Sequence, residues 1–247
     1  MRYIHQENIH NFKAPRQVVP VIMNLIQPNS VVDVGCGTGT WLKIFQEFHV
    51  KEILGIDGDY VDLSLLKIDK KFFKSFDLEK ELKLESKFDL AISLEVAEHL
   101  KYESSNIFVK SLCKLSDTII FSAAIINQGG QNHINEQNPQ FWIDIFQKNG
   151  YAILDVLRPI FWDNEEIDFW YRQNILLFTK NTNVVNKLSN MPNFLGKNLV
   201  HPVGFIGRDK VATNHKNENQ NIINGHKGLK FYIKLLLNYL KNKFSNV

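Results

Sequence analysis

Cysteine is scarce in this chain, and so is any long apolar run. Two cysteines in 247 residues, Cys36 between glycines and Cys113 in an apolar helical stretch, do not make the disulfide framework on which small secreted domains depend. A chain this long can bury a core without staples, and a reducing, cytoplasmic setting is expected. No stretch reaches the roughly 18 to 20 apolar residues that a membrane span needs. The opening MRYIHQENIHNF has no apolar run of the signal-peptide kind, so neither secretion nor membrane spanning is expected. Glycine and proline, at 13 and 7, are too few for a collagenous or low-complexity chain. What is left, 44% apolar and 22% charged residues, is globular composition.

A strong overall charge is also missing, because two unlike parts nearly cancel. The formal charge is +3, yet residues 181–247 hold 10 Lys and Arg against 2 Asp and Glu, which leaves 19 against 24 in residues 1–180. Binding to a nucleic-acid polymer is dominated by phosphate neutralisation. An acidic body disfavours that partner and favours a small or weakly charged acceptor.

Residues 1–180 alternate short β-branched runs with longer amphipathic ones, the pattern of βαβ units around a mostly parallel sheet. Strands are expected at 30–34, 52–56, 72–74, 88–93, 117–123, 152–156 and 174–179, with helices near 16–27, 39–48, 104–115 and 138–149. An aromatic segment, RPIFWDNEEIDFWYRQ, separates the last two strands where an ordinary helix would stand. Three regions are expected: a body over 1–180, an Asn-rich, extended and partly ordered arm over 181–226, and a basic amphipathic helix within 227–247. The arm is expected to touch the body through Phe194, Leu195 and the HPVGFIG segment at 201–207. The helix is read over 229–244; it either packs on the body, pairs with a second copy, or lies on an anionic membrane, which would be the inner face for a cytoplasmic chain.

The first expected strand runs Val31-Val32-Asp33-Val34 into Gly35-Cys36-Gly37-Thr38-Gly39, a turn where backbone can approach a ligand closely. A dinucleotide loop places its third glycine three residues after the second, but position 40 is threonine and the glycine comes early, at Gly39. Asp33 would repel a pyrophosphate and attract a cationic amino group. S-adenosylmethionine carries such a group, and NAD does not fit. Asp57 follows Gly37 by twenty residues, at the end of the second strand, where a carboxylate can accept from two ribose hydroxyls. After the third strand, Asp77 can receive an adenine amino group and Leu78 can pack on the ring.

These elements, in this order, resemble the class I S-adenosylmethionine-dependent methyltransferases over about residues 10–180. The resemblance implies an α/β, Rossmann-like, doubly wound and mostly parallel seven-stranded sheet whose last hairpin is reversed, with the remaining chain as a C-terminal extension. The string FSAAIINQGGQNHINEQNPQFW at 121–142, followed by RPIFW and WYRQN, is similar to a bacterial subfamily associated with surface polysaccharide and small-molecule modification. That subfamily carries proline near position 126 and tryptophan at 138, where this chain has Ile126 and Asn138.

The string Leu94-Glu95-Val96-Ala97-Glu98-His99 follows the fourth strand, where this class brings cofactor and acceptor together. On a helix, Glu95, Glu98 and His99 would share one face. With His133 from the next loop they would make four ligands for Mg or Mn, and some methyltransferases with a similar string use a divalent ion this way. Without metal, Glu95 would order the cofactor alongside Leu94, and Glu98 would brace the helix or assist catalysis. Transfer to oxygen needs a base, for which the candidates are His133 and His99. Phe161, Trp162, Phe169, Trp170 and Tyr171, with Arg158 and Arg172, would form either an acceptor wall that grips rings and anions or a satellite core sealing the sheet edge. The reading favoured is O-methylation of a sugar, a sugar nucleotide or a capsule-type phosphorylated small molecule, the glycan precursor or small molecule being the partner. Alternatives are N-methylation, metal-dependent RNA-end 2′-O-methylation, and a cofactor-binding scaffold without turnover.

Overall fold

A computed structural model describes residues 11–244. Residues 1–10, with most of the N-terminal segment read above, and residues 245–247, the end of the C-terminal region, lie outside the described residues. The chain divides into two units that meet between His201 and Pro202.

The first unit is built on seven strands: β1 Ser30–Val34, β2 Glu52–Asp57, β3 Phe73–Ser75, β4 Leu90–Leu94, β5 Thr118–Ser122, β6 Ala152–Leu154 and β7 Leu176–Thr179. Every boundary falls within two residues of its expectation. The sheet order is β3-β2-β1-β4-β5-β7-β6. β1 to β5 run parallel, and β7 lies antiparallel to both β5 and β6, so the reversed last hairpin is present.

Four helices cover the sheet: α1 Lys13–Leu25, α2 Thr40–Glu47, α3 Ser105–Leu115 and α4 Pro139–Lys148. Strand side chains alternate between faces. Val31 therefore joins Val18, Ile22, Leu42 and Phe45 under α1 and α2. Val32 and Val34 join Phe108, Leu112, Trp142 and Phe146 under α3 and α4, where the ring of Phe146 stacks on Phe178 with centroids 4.0 Å apart.

The aromatic segment between β6 and β7 folds as two short helices, α5 Leu157–Phe161 and α6 Phe169–Asn174. Of the two readings left open for it, sealing is what the packing displays. Phe161 is buried, Trp162 packs on Phe194 and His201, and Tyr171 meets Trp41 edge to face. Arg158 is wholly buried and has no anion left to seek: it forms an ion pair with Asp155 and donates to the carbonyls of Gln173 and Lys197. Arg172, also buried, donates to the Trp162 carbonyl.

The extended arm expected over 181–226 is corrected in form. α7 spans Thr182–Leu188, and residues 189–201 run as a strap over the body. Asp155 accepts the Gly196 amide there, the His201 amide donates to Gln173, and Phe194 reaches Trp162, whereas Leu195 is exposed. The second unit contains α8 Pro202–Ile223 and α9 Leu229–Phe244. Residues 202–223 are thus helical; Pro202 suits a first helical turn, and Gly204 and Gly207 are accommodated within the helix. Among the described residues no helix is long and apolar enough to cross a membrane.

Removing one partner of a buried ion pair strands the other. Arg158→Met is expected to cost about 3–5 kcal/mol of stability in chemical denaturation, and adding Asp155→Asn is expected to return part of that loss.

Candidate functional site

β1 pairs with β2 on one side and β4 on the other, which makes the carboxyl ends of β1 and β4 the switch point where ligands enter such sheets. The glycine turn leaves β1 there. Gly35, Gly37 and Gly39 adopt φ of +87°, +53° and +79°, a region that side chains rarely tolerate, and a Cβ on Gly35 would also strike Val96. The amides of Gly35 and Cys36 donate to the Ile56 carbonyl at 2.7 and 3.2 Å. The Gly37 amide donates to Asp57 Oδ2 at 2.7 Å, while Asp57 Oδ1 accepts from the Gly58 amide and the Tyr60 hydroxyl, both at 2.6 Å.

Asp33 sits within β1 opposite Gly55 and Ile92 and is 2% exposed. One of its carboxylate oxygens has no hydrogen-bond partner. Burial, and then the charge of Asp57, hold its pKa well above the usual carboxylate range. Burial, then Asp33 and Asp57, push the Cys36 thiol up as well, so Cys36 is inert packing rather than a nucleophile. Leu94 is buried at the end of β4. Asp77 is exposed after β3, where it accepts the Glu79 amide and pairs with Lys80. Leu78 is buried in the core under α3 and α4.

Glu95, Glu98 and His99 do not share a helix. Glu95 stands at φ +56° just past β4, and a turn of 3-10 helix follows at Ala97–His99. A left-handed residue breaks the helical register, so the single-face expectation is corrected. The Glu95 amide donates to the Ser122 carbonyl and hydroxyl. Its carboxylate accepts from Asn174 at 3.1 Å and Gln128 at 3.2 Å, and Gln173 donates to Gln128 and Asn174.

Glu98, His99 and His133 do converge. Ligand atoms of the three lie within 4.8 Å of one another, and the imidazole centroids are 4.9 Å apart. The Glu98 carbonyl accepts the amides of Ile134 and Asn135 at 2.9 and 3.0 Å, which clamps the loop bearing His133 onto this turn. The Glu98 carboxylate is buried without a well-formed hydrogen bond. Burial, then the charge of Glu95, raise its pKa well above normal. Burial, then His133, lower the pKa of His99 to about 4, so His99 is neutral at pH 7. His133 places Nδ1 2.9 Å from Glu136 Oε1, which also accepts the Gly129 amide.

One hard oxygen and two imidazoles suit a divalent transition ion, and these three residues can hold one. Glu95 lies outside that set because its carboxylate is engaged by Asn174 and Gln128. Sequence reasoning missed Tyr60, Gln128, Gln173 and Asn174. The Gln-Asn end of WYRQN and the QGGQ start of the loop after β5 were the signals for three of them.

Residues 6–118 match the family model described as methyltransferase domain. Among solved structures, the chain is similar to the methyltransferase domain of bacterial CtHen1 in two forms. The CN form is 22% identical, over 68% of this chain and 100% of that one, with a TM-score of 0.50; the C form is 23% identical, over 69% and 98%, also at 0.50. It is also similar to Streptomyces venezuelae DesVI, 12% identical over 72% and 99%, with a TM-score of 0.51. No curated protein matches the chain. The match to the methyltransferase domain model takes in a little under half of the chain, and the solved structures share its fold.

A buried carboxyl group whose pKa is raised on folding stabilises the fold only while protonated, and that stability is lost as pH rises from the ordinary value through the raised one. At pH 7 Asp33 therefore opposes folding. Asp33→Asn is expected to raise the stability of the unliganded protein at pH 7 by about 1–3 kcal/mol and to flatten this part of the pH dependence; equal stability of both proteins from pH 4 to 7 would contradict the assignment.

Proposed function

We propose that the methyltransferase domain of this chain moves a methyl group from S-adenosylmethionine to a hydroxyl of a sugar, free or nucleotide-linked. The observation that carries the reading is the buried, half-unpartnered carboxylate of Asp33 beside a glycine turn braced by Asp57. A cationic ligand relieves that charge, whereas a pyrophosphate aggravates it. Asp33, Gly35, Cys36, Gly37 and Gly39 would hold the amino-acid end of the cofactor, Asp57 its ribose, and Asp77 with Leu78 its adenine, while Leu94 and Glu95 line the crevice. When bound, the cofactor supplies an electrophilic methyl group on a sulfonium.

The choice of oxygen rests on His133. Its Nδ1 faces Glu136, so a neutral ring donates from that nitrogen and keeps the Nε2 lone pair to take the acceptor's proton. Glu136 then stabilises the imidazolium. His99 is too weak a base for this at neutral pH, and Glu98 with its raised pKa is better suited to donating a hydrogen bond. The loop at 127–138 carries seven Asn and Gln and no Lys or Arg, which favours a hydroxyl-rich, uncharged group beside His133. Arg158 is committed to Asp155 and to two backbone carbonyls and Arg172 is buried against the Trp162 carbonyl, so neither lends the support expected for a phosphorylated acceptor.

A second reading, 2′-O-methylation at an RNA end with a divalent ion, is favoured by the Glu98, His99 and His133 cluster and opposed by the acidic body. A metal held there would act as a Lewis acid on the acceptor oxygen.

Asp57→Ala is expected to lose about 2 kcal/mol of S-adenosylhomocysteine affinity, the scale of charge-assisted bonds to two hydroxyls; unchanged affinity by calorimetry would sink the cofactor assignment. In a labelled-methyl assay with sugar and sugar-nucleotide acceptors, His133→Ala is expected to cut turnover by about 10²- to 10⁴-fold while leaving that affinity in place. Full activity in excess chelator excludes the metal reading, and loss restored by Mn²⁺ supports it.

A further inference from the structure

The second unit holds a helix whose chemistry the methyl-transfer site does not use. α9 is 16 residues long, about 24 Å at 1.5 Å per residue, which is short of the roughly 30 Å of a bilayer core. Lys230, Lys234 and Lys241 recur at i, i+4 and i+11, so they share one face. Most of the remaining circumference is apolar. Leu229, Ile233, Leu235, Leu236, Leu237 and Tyr239 are all exposed, and the helix has no acidic residue. At its start, the Tyr232 hydroxyl donates to the Ile222 carbonyl at the end of α8, which fixes the turn that leads into it.

We propose that α9 lies in the plane of an anionic lipid surface, with its apolar side in the acyl boundary and its lysines at the headgroups. Charge complementarity selects lipid over the other occupants. The apolar side is wider than the narrow seam of a helix pair, and Lys243 falls within it, 5.7 Å from the ring of Tyr239. In a seam between two copies that ammonium would be buried without a partner; at a membrane it reaches the headgroups along its own stem. Each lysine near such a surface multiplies binding by about fivefold.

The test uses the full chain with phosphatidylcholine vesicles, either alone or with about one-third phosphatidylglycerol. Co-sedimentation is expected with the anionic vesicles at low salt and is expected to weaken in high salt. The triple variant Lys230→Glu, Lys234→Glu, Lys241→Glu is expected to bind at least about 10²-fold more weakly, and Ile233→Glu with Leu236→Glu is expected to lose binding at low salt as well. Retained S-adenosylhomocysteine affinity in both variants shows that the first unit is folded. Equal sedimentation of parent and lysine variant overturns the proposal. So does sedimentation that the apolar variant retains, which would mark a soluble polyanion as the ligand, and so does failure to sediment alongside a doubling of mass that the apolar variant abolishes, which would mark a second copy.

Discussion

Buried acidic groups without a counter-ion govern the carboxyl edge of this sheet. Asp33, Asp57, Glu95 and Glu98 all lie at or near the ends of β1, β2 and β4, and among the described residues none of them forms an ion pair with lysine or arginine. Each is handled differently. Asp57 is satisfied by two backbone amides and a hydroxyl, and Glu95 by carboxamides. Asp33 and Glu98 are left with oxygens that nothing adequately meets. Keeping such groups costs stability, and a cation placed beside either of them would lower that cost.

The constraint reaches well beyond the edge. Holding Glu95 at a positive φ, and feeding its carboxylate with donors, needs Gln128, Gln173 and Asn174 in fixed places. The reversed hairpin supplies the last two, and the strap fixes them in turn: the His201 amide donates to Gln173 Oε1 at 2.7 Å, while Arg158 binds the Gln173 carbonyl and the Lys197 carbonyl together. A continuous hydrogen-bonded path therefore runs from the end of the first unit to the acid beside β4. The strap up to His201 therefore belongs with the first unit.

The parts legible in the sequence are those ruled by periodicity. The central strands β1, β2, β4 and β5 were legible as short β-branched runs of the kind a parallel sheet buries, and the glycine turn announced itself through its spacing after Val34. The parts that were not legible depend on long-range partners. Nothing local marks Glu95 as left-handed; the Ser122 carbonyl and hydroxyl, 27 residues away, make it so. Tyr60 reads as an ordinary loop aromatic until its hydroxyl is found on Asp57. Arg158 and Arg172 read equally well as part of an acceptor wall or of a satellite core, and only the packing of Asp155, Trp162 and the strap around them reveals that they are interior. The Asn-rich composition of the arm suggested an extended chain, yet composition does not forbid a helix and residues 202–223 form one.

Glu98 and His99 together leave two ways to balance the charge beside β4. With no cation, burial and the Glu95 charge raise the pKa of Glu98 and favour its protonated form, and His99 is neutral beside it. With a divalent cation the carboxylate ionises, and the two imidazoles need only remain neutral, which His99 already does. A cation held at this cluster would need the ionised form of Glu98 and neutral imidazoles, so its binding would weaken as pH falls. His133 belongs to both arrangements but cannot serve both at once. A lone pair given to a metal is no longer available to an acceptor hydroxyl, so a metal held through His133 Nε2 and the His133–Glu136 base would be competing uses of that nitrogen.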